Sequence, residues 1–164
     1  KEKLAPREAA TVFHECCAEI GRAKLADVEG LAEFCDAAEA VIANTNPAGL
    51  ALVAGIAAEP RADDVPGRAM QLAAVLRELR GSAHLVALVA TGVVPEEAHA
   101  VKRPDMVEAF GWDPAPDLSD FDEAKREAAE ELTSEIVAKS MTGLTSEQAA
   151  ALEAGAKNIA AALA

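Results

Sequence analysis

The chain has 164 residues, 51 % of them hydrophobic, which suits one domain with enough apolar side chain to bury a core. Its formal net charge is −13, and residues 105–164 carry thirteen Asp or Glu against four Lys or Arg, so phosphate backbones are poor partners and nucleic acid is not expected. No run of about 18 apolar residues occurs, the opening KEKLAPREAA lacks the apolar stretch of a signal peptide, and three cysteines make no secreted disulfide framework; the expectation is a cytoplasmic protein that stays out of membranes.

Aromatic residues are only 3 %, with one Trp and no Tyr, and β-branched runs bounded by turn residues are nearly absent. Alanine is abundant and is the best helix former, so the chain reads as all-α, a single-domain helical bundle of seven to nine helices. Pro6 opens the first helix, on which Val12, Phe13, Cys16, Cys17 and Ile20 recur at helical spacing up to Gly21. Asp27 can cap a second helix with the stripe Leu31, Phe34, Cys35, Ala38, Val41 and Ile42, stopped by Asn46-Pro47. PAGLALVAGIAA (47–58) is apolar on every side, as expected of a helix at the centre of a bundle or at an interface.

After a proline-punctuated loop, a fourth helix runs from about Pro66 to Arg80. Gly81 is then read as a left-handed stop and Ser82 as the N-cap of a fifth helix, Ala83–Ala90, closed by Gly92. Pro95-Glu96-Glu97 opens a sixth helix, and Pro104-Asp105 a short seventh ending near Phe110-Gly111. Residues 113–118 form the clearest linker, dividing a main bundle (1–112) from a C-terminal helical hairpin (119–164) that packs on the bundle or on a partner subunit. Ser119 or Asp120 caps its first helix, with Phe121, Ala124, Ala128, Leu132 and Ile136 as the apolar set, and Thr145 with Gln148 caps its second.

The polar chemistry concentrates in RELRGSAHLVALVATG (77–92). A corner at Gly81-Ser82 would set Arg80 beside the free amides of a helix N-terminus, an arrangement that favours a carboxylate or phosphate. The plainer reading is a stop, a cap and a surface ion pair. His14, Cys17 and Cys35 have the spacing for a weak three-ligand metal site, but without a Cys-x-x-Cys pair Cys16, Cys17 and Cys35 read as structural thiols, and no metal or cofactor is expected. His99, followed by Lys102-Arg103, can pair with His84 and Glu96 as acid and base only if both histidines face one pocket. Glu123, Glu127, Glu130 and Glu131 lack the Glu-x-x-His that a di-metal bundle needs and read as a solvated face.

The segment Leu76–Val93 resembles the Leu-Arg-Glu-His-Arg-Gly-Asp-Gly-His segment of the SalK-like family of actinobacterial proteins, and the similarity extends from about residue 46 to Trp112. The resemblance implies an all-α bundle with Arg80, Gly81 and His84 as pocket residues, and it implies no reaction. The family's helix-turn-helix-like segment, which follows its Gly-Trp pair, is read as absent here, with Asp113-Pro114-Ala115-Pro116-Asp117 in its place. The expected function is a non-enzymatic, regulatory or accessory domain binding an anionic small molecule or a protein partner through Arg80, Ser82, His84 and His99, as a homo-oligomer. The alternatives are an enzyme with a His-based acid/base pair and a structural assembly protein.

Overall fold

The computed structural model describes residues 4–164, and all regular structure among them is helical. Seven α-helices follow in order: α1 (Pro6–Lys24), α2 (Leu31–Asn44), α3 (Ala51–Ala57), α4 (Val65–Thr91), α5 (Pro95–Lys102), α6 (Glu123–Met141) and α7 (Ser146–Leu163), with a single 3₁₀ turn at Pro104–Met106. They fold as one domain around α4, whose 27 residues span about 40 Å and touch α1, α2, α3 and α6, while α7 lies on α2. Most of the core is aliphatic and small: Leu25, Phe34, Cys35, Ala38, Ala69, Leu72 and Ile159 form one cluster, and Val41, Val53, Val75 and Leu79 a second.

The expected break at Gly81-Ser82 does not exist. Helix α4 runs through it, and Gly81 is not among the glycines with positive φ. One face of the helix, carrying Leu72, Val75, Leu79, Ala83 and Ala87, is buried over four turns, and that burial outweighs the roughly 1 kcal/mol that a mid-helix glycine costs. Ser82 is still a cap, but for another helix: its buried Oγ accepts the Val53 N–H of α3 at 3.2 Å, in the first turn, where that amide has no intrahelical acceptor. Two predicted helices are therefore one, and the predicted seventh is only the 3₁₀ turn and the turns that follow it.

Helix α1 is rotated relative to its apolar stripe. It buries His14, Cys17, Ala18 and Gly21, and leaves Val12, Phe13, Cys16 and Ile20 exposed. Gly21 explains the choice, because a Cβ there would collide with the Pro66 carbonyl, so α1 approaches α4 over small residues. His14 is held by its neighbours: Nδ1 lies 3.4 Å from the Pro60 carbonyl, and its own carbonyl accepts from Gln71 Nε2 at 3.1 Å. Helix α3 is peripheral rather than central, burying Val53 and exposing Leu52. The 58–64 loop is pinned by buried Glu59, which accepts from Thr11 Oγ1 at 2.9 Å and pairs with Arg7 at 3.1 Å. Asp64 then caps α4 through the Gly67 N–H at 2.8 Å.

Gly30, with φ 76°, and not Asp27, precedes α2. Asp122 rather than Ser119 or Asp120 caps α6, accepting from the Ala124 and Lys125 amides, and α6 buries Ala129, Thr133 and Ser140 against α4. Thr145 and Gln148 form the expected reciprocal box on α7, with bonds of 3.0 and 3.1 Å. The chain after the 113–118 segment adds Ala129, Leu144, Leu152 and Ile159 to the clusters that the earlier helices build. None of the helices is long and apolar enough to cross a membrane.

Candidate nucleic-acid interface

The end of α4 is built for a sharp turn. Gly92 takes φ 72°, its N–H donates to the Val89 carbonyl at 3.2 Å, and the Val93 N–H reaches back to the Leu88 carbonyl at 2.9 Å. These are the two bonds of a Schellman motif, and the apolar contact that accompanies it is present, since Leu88 and Val93 are buried together. Three residues, Gly92-Val93-Val94, then separate α4 from α5, whose first residue is Pro95, as expected from proline's preset φ. Within residues 4–116 the other helix connections are six or seven residues long. A long helix, a short glycine turn and a short second helix is the connectivity of a helix-turn-helix unit.

What fixes α5 is a small cluster of its own. Ala98 packs with Ala87, Leu88, Val93 and Ala129 of α6, with Phe121 and Leu132 at its edge. Ala100 is also buried, whereas Glu96, Val101, Lys102 and Arg103 are exposed. His99 meets Phe110 and Trp112 edge-on at 4.9 and 5.7 Å between ring centres, and the two larger rings stack on each other at 5.1 Å. The chain after the second helix thus folds back on that helix.

Between α4 and α5 lies a cavity of about 800 Å³ whose polar lining is Arg77, Glu78, Arg80, His84, His99, Lys102 and Arg103. Arg103 forms a fork with Asp105 at 2.9 and 2.7 Å, which holds the Asp105 carboxyl below its usual range. Arg77 pairs with Glu78 at 2.5 Å, and Arg80 with Glu130 of α6 at 2.7 Å. Among the described residues Lys102 has no ion pair. Residues 66–103 contain five Lys or Arg and three Asp or Glu, the reverse of the balance in the chain as a whole.

The four predicted site residues do not share one role. Arg80, His84 and His99 reach the same cavity, but Ser82 is buried on another face and serves α3. The anion corner is gone, because the amides after Gly81 are interior to a continuous helix and Arg80 is held by Glu130. Thr133 Oγ1 donates its proton to the Ala129 carbonyl at 2.6 Å, so the 3.0 Å bond from His84 must be donated by Nδ1–H. Burial, chiefly, together with Arg80, Lys102 and Arg126, pushes His84 below its ordinary value despite Glu130. Burial raises the Cys17 and Cys35 thiols, as befits packed side chains. No group of three His, Cys, Asp or Glu among the described residues can hold a metal.

Comparison with known proteins bears on this unit directly. The model of a family described as a helix-turn-helix family matches residues 1–116. The chain belongs to that helix-turn-helix family. No curated protein and no solved structure matches the chain. Membership corrects the likeness to the SalK-like family, and with it the view that a helix-turn-helix is missing: the match lies largely before the Gly111-Trp112 pair. It also overturns the reading as a domain for an anionic small molecule or a protein partner, and neither the His84/His99 enzyme nor the assembly protein gains support. The exclusion of nucleic acid by net charge falls as well, since helix-turn-helix proteins place their second helix in the major groove. Lys102, Arg103 and Arg77 were not in the predicted site; the signal was the Lys102-Arg103 pair at the end of a proline-started helix.

Proposed function

We propose that this helix-turn-helix chain is a DNA-binding regulatory protein and that α4, the Gly92 turn and α5 form its reading unit. The observation that carries this reading is the family match over residues 1–116, a span in which only α4 and α5 are joined by a three-residue glycine turn. In this assignment α5 is the helix that enters the major groove. Val101 is the exposed apolar side chain suited to a thymine methyl, and Glu96, near the start of the helix, can accept from cytosine N4. Lys102, Arg103 and Arg77 contact phosphates on either side, and Arg80, tied to Glu130, does not. Three free cysteines fit a reducing, cytoplasmic setting.

The net charge of −13 sets the expected behaviour. With three phosphate contacts the salt slope is about −2.7, and the remaining acidic surface makes binding to arbitrary duplexes weak. The test is selection from a random duplex library at about 25 mM salt, followed by anisotropy titrations of the selected duplex as salt is raised. Lys102→Ala should weaken binding and reduce the slope by about 1. Failure to enrich any duplex, or a Lys102→Ala protein that binds with an unchanged slope, refutes the assignment.

A further inference from the structure

The face of α1 left open by its rotation has a register of its own. Ala9, Phe13, Cys16, Ile20 and Ala23 are all exposed and follow one another at spacings of four, three, four and three residues. That is a heptad seam, with Phe13 and Ile20 at a and Ala9, Cys16 and Ala23 at d, on the side of the helix away from buried His14, Cys17, Ala18 and Gly21. In this register Glu19 falls at g and Lys24 at e of the next heptad. Both are exposed, and neither makes an ion pair among the described residues.

We propose that the partner of this seam is α1 of a second copy, packed in parallel about a two-fold axis. The occupant follows from complementarity: a parallel pair sets each Glu19 against the Lys24 of the other helix, twice by symmetry. An antiparallel pair sets g against g and e against e, which leaves both charges without partners. The parallel register stacks Phe13 on Phe13 and Ile20 on Ile20, and brings the two Cys16 thiols face to face at d. Val12, 45 % exposed at g, widens the apolar strip. The seam is only two heptads long, so the association is weak and concentration-dependent.

Sedimentation of the full chain without DNA, from about 1 µM to about 1 mM, tests this independently of the DNA-binding reading. A monomer–dimer equilibrium is expected, abolished in the double variant Phe13→Lys, Ile20→Lys; both side chains are surface-exposed, so helix content and melting should be unchanged. Glu19→Lys should weaken the dimer about two- to tenfold, with recovery in the double variant carrying Lys24→Glu. Added diamide should take two electrons and two protons from the paired Cys16 thiols to form an intermolecular disulfide, lost in Cys16→Ser, with buried Cys17 and Cys35 unable to substitute. A chain that stays monomeric over that range, a dimer indifferent to the Phe13→Lys, Ile20→Lys pair, or a dimer that diamide does not cross-link would each overturn the proposal.

Discussion

Replacing Gly81 by alanine separates two incompatible accounts of the same residues. If Gly81 ended a helix in the left-handed region, a Cβ would be strained there and the variant would lose about 1 kcal/mol or more. In the continuous α4 the opposite holds. The nearest atom to a Cβ on Gly81 is Glu78 Oε2 at 3.6 Å, an ordinary contact, so nothing must move. The gain is then the helix-propensity difference between alanine and glycine, about 0.8–1 kcal/mol, most of it from the smaller freedom of the unfolded chain. For a domain of this size that raises the melting temperature by roughly 2–4 °C. Urea unfolding followed by far-UV circular dichroism should show a higher midpoint at unchanged slope, the mark of a stability change without altered compactness. A lower midpoint for Gly81→Ala would refute the continuity of α4, and with it the loss of the anion corner.

The same substitution at Gly155 should do the reverse, since a Cβ there runs into the Phe34 ring; about 1–3 kcal/mol should be lost in the same urea assay. Ser82→Ala strands the Val53 N–H in a buried site and should cost about 1–3 kcal/mol, against near-neutrality if Ser82 were an exposed cap. Glu130→Gln removes the carboxylate that neutralises Arg80, so it should tighten binding of the selected duplex and steepen its salt dependence by about 1, read by anisotropy. His14 and His84 are both held below the ordinary 6.5, chiefly by burial, so just below that pH the unfolded chain binds more protons than the folded one. Stability should therefore fall as pH drops from 7 through about 6.5 and below, with a shallower fall in a His14→Gln variant; a pH-independent urea midpoint between 7 and 5 would contradict this.

The parts of the fold that could be read from the sequence are those where local chemistry and burial agree. Pro95 opens α5, Gly92 closes α4, Thr145 with Gln148 boxes α7, and the stripe Leu31, Phe34, Cys35, Ala38 and Val41 is buried as its period demands. The misreadings share a cause. Gly81-Ser82 has the composition of a stop and a cap, yet a buried face that continues from Leu79 to Ala83 and Ala87 overrides it. On α1 the period was correct and the phase was wrong, because hydrophobicity weighs Phe13 and Ile20 above Cys17, Ala18 and Gly21. Close helix approach rewards the small residues, which no count of apolar side chains registers.

The candidate interface was missed for a different reason, and the error lies in treating a sum as a surface. Net charge adds Glu123, Glu127 and Glu131 of α6 to Lys102 and Arg103 at the end of α5 as though a partner met them all at once. Within one Debye length, about 8 Å at physiological salt, a partner meets only what shares a face. Residues 66–103 are locally basic, and the acids that reverse the total flank them, twelve before residue 66 and thirteen from residue 105 onward. The two sets meet at two places in the described chain, the Arg103–Asp105 fork and the Arg80–Glu130 pair that ties α4 to α6. On the proposed DNA-binding reading, a basic rim partly neutralised by a neighbouring helix of the same chain predicts weak, salt-sensitive binding. It follows that the affinity gained by Glu130→Gln should be largest at low salt and fade as salt screens the freed arginine.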